Sequence, residues 1–162
     1  MRKLAAGKRI AAALTTVSLA GALGLAVSGQ AQAAAPQSLN FTVDFSKTSF
    51  PQVPTLGGSF AGSGPVTDAD GKQIGKAFDT CAVDGIENAT TADALCTVIV
   101  KFDNGSELEL STQARLDVNP ADYPYKLDAV VQGGTGDYEG AKGQASIEAV
   151  KLHVYKVSVD FK

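Results

Sequence analysis

The stretch VVQGGTGDYEGAKGQASIEAV, residues 130–150, decides how the chain is read. Five glycines, Gly133, Gly134, Gly136, Gly140 and Gly143, sit between two runs with strand character. A glycine-rich loop behind a strand invites comparison with phosphate cradles. The dinucleotide fingerprint asks for a glycine where Glu139 stands, and the P-loop asks for a Gly-Lys-Ser/Thr ending that is absent. Both also need a helix to follow. Here Ala141, Gly143, Ala145, Ile147 and Ala149 alternate with Lys142, Gln144, Ser146 and Glu148, a period of two that makes a strand with one dry face. The unit is therefore strand–turn–strand, with glycine supplying the turn and the close backbone approach.

Outward from this unit the same period recurs. Residues 126–132 form the strand before the turn. A last strand begins at residue 151 or 152 and ends at 161, with His153, Tyr155, Val157, Val159 and Phe161 on one side. Near the start, Leu39, Phe41, Val43 and Phe45 alternate with Asn40, Thr42 and Asp44, a half-buried first strand after a frayed end at 34–38. Residues 46–58 carry Pro51 and Pro54 and read as a loop. Residues 59–66 are a short glycine-rich strand, closed by the Asp70-Gly71 turn. In the third strand, 73–83, Ile74, Phe78, Thr80 and Ala82 share one face and Gly75, Ala77, Asp79 and Cys81 the other. Residues 84–94 are polar and aperiodic, hence a loop. Residues 95–102 are apolar and β-branched. Asp103-Asn104-Gly105 is the strongest hairpin signal in the chain, and 107–112 alternates again. Residues 115–125, with Pro120 and Pro124, read as a connection. The sum is eight strands and no helix beyond the N-terminal segment. That predicts an all-β fold, an eight-stranded antiparallel up-and-down barrel of calycin-like type, which removes free sheet edges. The Gly-x-Trp of lipocalins is absent, since the chain has no Trp.

The run Gly133-Gly134-Thr135-Gly136, then Tyr138, then Ala141-Lys142-Gly143 resembles the signature G-G-T-G-x-[FY]-x-x-A-[RK]-G of dirigent proteins. It is similar also to the glycine motif of allene oxide cyclases and their bacterial barrel relatives. A looser likeness extends over residues 75–162. The resemblance implies an eight-stranded barrel, with the glycine motif beside its opening and assembly as a homo-oligomer, a trimer or a dimer. It implies cofactor-free work on small molecules: dirigent proteins orient radical partners, and allene oxide cyclases fold a reactive epoxide. Lys142 stands where arginine is usual in the dirigent motif, which keeps the charge and loses the planar fork.

The N-terminus has the form of an export signal. Arg2, Lys3, Lys8 and Arg9 precede an apolar run at 10–27, and Ala31-Gln32-Ala33 is an A-x-A cleavage site. Cleavage after Ala33 predicts a secreted domain of 129 residues without a membrane anchor. That domain carries ten Lys and Arg against 17 Asp and Glu, a net charge of −7. Nucleic acid and anionic membranes need a basic face, so this charge argues against both as partners. Cys81 and Cys96 are the only cysteines, and in an exported chain they predict a disulfide. Its loop of about 15 residues contributes ~3 kcal/mol in the chain-entropy model. With one histidine in the whole chain, no metal site is expected, and no cofactor is implied.

Polar groups set in apolar rows are the candidate site residues. Asp79 shares a row with Ala77 and Cys81, and if buried it needs a partner or a raised pKa. His153 reads either as a lumen acid or base or as a strand-end histidine in solvent. Tyr155 reads either as a donor to a ligand or as a buried tyrosine bonded to backbone. Thr135 and Tyr138 belong to the motif, and Thr135 either borders the pocket or holds the turn. Arg115, the only arginine after the leader, reads as a surface loop residue or as a partner for an acidic group. Ser-His-Asp order, G-x-S-x-G and H-E-x-x-H are all absent. The resulting expectation is a secreted barrel that binds an apolar or aromatic small molecule in its lumen and steers a cyclisation or coupling. The alternative is a non-catalytic secreted binding or structural module.

Overall fold

A computed structural model describes residues 37–47 and 54–162. The leader and its Ala31-Gln32-Ala33 site lie outside the described residues. Eight strands follow one another: β1 (Ser38–Asp44), β2 (Ser59–Thr67), β3 (Gln73–Ile86), β4 (Thr91–Phe102), β5 (Glu107–Asp117), β6 (Tyr125–Thr135), β7 (Gly143–Lys151) and β8 (Val154–Phe161). Each pairs antiparallel with the next, and β8 pairs β1 to close the ring. The expected up-and-down barrel is the observed one. Among the described residues, helix is confined to two three-residue 3-10 turns, Pro120–Asp122 and Gly136–Tyr138.

The period of two sorts every strand into an inner and an outer row. Phe41 and Val43 on β1, Ala77, Asp79, Cys81 and Val83 on β3, and Leu108, Leu110 and Ala114 on β5 are buried. Ala145, Ile147 and Ala149 on β7 and Val157 and Val159 on β8 complete the ring. Of the two faces read for the third strand, the Ala77-Asp79-Cys81 face is the inner one.

Three boundaries differ from the sequence expectation. Of residues 84–94 only 87–90 are a connection: β3 continues through an irregularity at Val83/Gly85 to Ile86, and β4 starts at Thr91. Two of the buried places at this end, beside Ala92 and Ala94, belong to polar residues, Thr91 and Asp117, joined by a 3.0 Å bond from Thr91 Oγ1 to Asp117 Oδ2. Hydropathy therefore hides the strand. Arg115 lies on β5 rather than in a connection, and its guanidinium reaches Glu87 Oε2 at 3.3 Å. Ser38 is not part of a frayed end, because it opposes Asp160 in the β1–β8 ladder.

The glycine motif closes one end of the barrel. Its turn rests on the β4–β5 hairpin: Asn104 Nδ2 donates to Asp137 Oδ2 at 2.8 Å, and the Asp137 N–H donates to Ser106 Oγ at 3.1 Å. A Cβ on Gly134 would stand 2.1 Å from the Glu107 carbonyl oxygen and 2.7 Å from Tyr138 Cβ. Only glycine lets the turn lie this close, and the closeness drives Tyr138 into the barrel. There its ring stacks on Phe161 at 5.7 Å and leans on Phe102 at 5.1 Å, while Phe102 meets Phe41 edge-on at 6.3 Å. These four rings plug that end.

Cys81 and Cys96 are directly opposed on β3 and β4 and form the expected disulfide. Replacing both with alanine should lower unfolding stability by about 3 kcal/mol in a denaturant titration, with the barrel retained. Gly134→Ala should cost ~1–3 kcal/mol through overpacking against Glu107 and Tyr138. The same substitution should loosen the Tyr138 ring, read as a loss of near-ultraviolet circular dichroism.

Candidate functional site

The half of the lumen away from the plug is not filled. Its wall comes from all eight strands and contains Phe41, Val43 and Phe45 of the β1 segment, Phe60, Leu110, Leu127, Ile147 and Val157. The space available to the centre of a water-sized sphere is about 60 Å3. That corresponds to ~4–6 waters and is less than half of the ~150 Å3 of an engineered apolar cavity that takes up benzene, so a single ring enters only where the wall yields. Small residues make the room: Ala114 and the Cys81–Cys96 disulfide stand where larger side chains would fill it. The disulfide is thus a piece of the cavity wall as well as a cross-link.

Three wall residues carry polar side-chain groups: Asp79, Thr112 and Tyr155. Asp79 is 8% exposed, in the middle of β3. Its carboxylate accepts from the Gly62 N–H and from its own, yet Oδ1 has no hydrogen-bond partner. Burial pushes its pKa above the ordinary carboxylate value, and the two backbone donors only partly oppose this. Tyr155 packs on Phe45 at 6.1 Å. Burial raises its pKa, and the neighbouring Tyr125 and Asp79 raise it further, so the hydroxyl keeps its proton. Thr112 Oγ1 donates to the Asp128 carbonyl at 2.6 Å.

Thr112 also marks a seam. The β5–β6 register ends at Ser111↔Val130, after an irregularity at Glu109/Leu110. Beyond it β5 stays paired to β4 and β6 to β7. Side chains bridge the two strands instead: Thr112 to Asp128, and the Tyr123 hydroxyl to the Asp117 carbonyl. Tyr125 Oη lies 3.5 Å from Asp117 N, and the Tyr123 and Tyr125 rings touch at 5.1 Å. Thr112 contributes to the cavity and to a polar groove on the outside, so the two spaces meet at this residue.

Of the five sequence candidates, the structure brings Asp79 and Tyr155 together in the cavity wall. It sets the other three elsewhere. Thr135 is exposed at the plugged end, where it precedes the 3-10 turn. Tyr138 is in the plug itself. His153 is not in the inner row of β8 but in the β7–β8 turn, with φ of 67°. Its carbonyl accepts from the Phe45 N–H at 2.8 Å, and burial lowers its pKa against the opposing pull of Asp44. Sequence reasoning missed Thr112 and the disulfide as parts of the cavity wall. The inward row of β5 contained the signal for Thr112. Among the described residues, no group of three or more His, Cys, Asp or Glu side chains could hold a metal ion.

No family model matches the chain, and no curated protein matches it in sequence. Solved structures do match in shape. A pyocyanin demethylase superposes with a TM-score of 0.63 at 16% identity, covering 77% of this chain and 99% of that one. The pterocarpan synthase dirigent protein superposes with a TM-score of 0.51 at 20% identity, covering 77% and 84%. The eight-stranded barrel is the fold that these two structures share with the chain. At these identities the likeness covers the architecture, and the cavity chemistry must be argued from this chain's own side chains.

The raised pKa of Asp79 has a consequence for stability. The native state holds the Asp79 proton more tightly than the unfolded chain, whose value is near 3.8. Its contribution therefore favours folding at low pH and turns unfavourable as pH rises from 3.8 through the higher native value. Asp79→Asn should be more stable than the natural protein at pH 7, and the gap should close as pH falls towards 3.8. Thermal melts of both proteins across that range check this.

Proposed function

We propose that this chain is an exported barrel that takes an apolar or aromatic small molecule into its lumen and orients it for a cofactor-free cyclisation or coupling. The observation that carries the reading is an apolar-walled cavity in which one buried carboxyl group, Asp79, lacks a partner at Oδ1 and shares the wall with Tyr155. Apolar walls supply burial and a few polar groups fix orientation, which is the usual make-up of a small-molecule site. A buried carboxyl whose pKa is raised by burial can give or take a proton, and a protonated tyrosine can donate a hydrogen bond. Holding a reactive molecule in one conformation away from water is then enough to choose among its products. The barrel is shared with a pyocyanin demethylase and a pterocarpan synthase dirigent protein, which is compatible with this class of work. The leader and the disulfide support export.

The cavity's size favours a second reading, a non-catalytic exported binding or structural module. About 60 Å3 is below the ~300 Å3 at which pockets for larger ligands begin. On this reading the seam stays shut and the interior serves only to hold the ring.

Methyl resonances of Val98, Leu110, Leu127 and Val157 report on the lumen directly. Titrating the secreted protein with single-ring aromatic compounds should shift these methyls and leave those of the outward-facing Leu95 and Val130 in place. Native mass spectrometry of the same sample should give a chain starting at Ala34, with the two-proton mass loss of one disulfide. Lumen methyls unmoved up to the solubility limit of every compound would favour the structural module. A chain retaining residues 1–33 would overturn export.

A further inference from the structure

The lumen lacks any positive group of its own. Among the described residues no Lys, Arg or His lines the cavity, and the carboxyl of Asp79 is the one acidic group in its wall. Asp79 Oδ1 is buried and accepts no hydrogen bond, so it is an acceptor without a donor. Three rings, Phe41, Phe45 and Tyr155, stand in the same wall. Aromatic faces attract cations, most strongly where water is excluded. The secreted domain is negative overall, with 17 acids against ten bases, so its field favours an approaching cation.

We propose that the lumen selects an organic cation: a protonated amine on an apolar body of about one ring, seated with its N–H towards Asp79 Oδ1. The proposal rests on the lumen reading above and adds the class of ligand. An ammonium group supplies the missing donor and balances the carboxylate, which a charge-assisted hydrogen bond makes stronger than its neutral counterpart. The rings of Phe41, Phe45 and Tyr155 then surround the rest of the cation. A ligand with a carboxylate head meets the opposite situation. It finds no positive partner in the wall and faces Asp79, a like charge whenever that group is ionised. A neutral hydroxyl satisfies Oδ1 but leaves the charge unbalanced.

Four probes of matched shape separate these cases: toluene, benzyl alcohol, benzylammonium and benzoate, each titrated at pH 7 while the lumen methyls are followed. Benzylammonium should bind about tenfold or more tightly than toluene or benzyl alcohol, as expected for one buried charge-assisted bond. Benzoate should leave the methyls unmoved. In Asp79→Asn, toluene should bind as before, which shows an intact lumen, and the advantage of benzylammonium should vanish. Benzoate binding as well as benzylammonium overturns the proposal. So does benzyl alcohol matching benzylammonium, or an amine preference that survives in Asp79→Asn, which locates the cation on the acidic surface. If toluene and all three others fail in the natural protein, the lumen reading itself falls.

Discussion

Closing eight strands into a ring fixes the width of the interior before any side chain is chosen. Everything else in this molecule answers to that width. At one end the chain meets it with bulk, four aromatic rings gathered around Tyr138. In the other half alanine, a disulfide and one carboxyl stand among the larger side chains and leave space between them. The cavity is therefore in large part a consequence of side-chain size along the inner row. The glycine motif serves the filled end. It brings backbone against backbone at Gly134, so that Tyr138 can enter from a turn instead of from a strand.

The two ends differ in how their walls are held. Around the plug the β5–β6 ladder runs from Glu107↔Thr135 to Glu109↔Gly133 before its irregularity at Glu109/Leu110. Around the cavity the same pair of strands parts, and hydroxyl groups of Thr112 and Tyr123 replace the ladder bonds. Side-chain bridges fix fewer atoms than a ladder and can be broken one at a time. The weaker stretch of wall is thus the one beside the empty space, where opening would admit something larger than the cavity now holds.

The architecture was legible because alternation survives wherever the inner row is apolar. It failed at residues 84–86, 91–94 and 115–117, the strand ends taken for loop. There two of the buried places are held by Thr91 and Asp117, whose polar groups satisfy each other in a way that the sequence does not display. A register irregularity at Gly85 further breaks the count. For the site, Asp79 could be found because a carboxyl in a row of small apolar residues contradicts its surroundings. Tyr155 could be found because it continues the row of Val157 and Val159. His153 misled because alternation was extended one residue pair too far, across a turn that its own positive φ creates. Thr135 and Tyr138 were drawn in by the glycine motif, which the resemblance places beside an opening but which here closes the opposite end.

The buried polar groups themselves separate structure from function. Thr91 and Asp117 bond to each other, Ser106 Oγ accepts from the Asp137 N–H, and Thr112 donates to Asp128. Each has a partner within the fold, and each holds a hairpin, a turn or a seam. Asp79 Oδ1 alone among the buried side-chain oxygens described has none. A valine at that position would match the row and remove a desolvated carboxyl, a change that favours folding in other buried sites. The barrel does not need this carboxyl to close, since the ladders on both sides of Asp79 run without interruption through Gly62 and Val98. A group that weakens the fold and is not used by it is the place where the sequence departs from its own local rules, and such departures collect at functional sites.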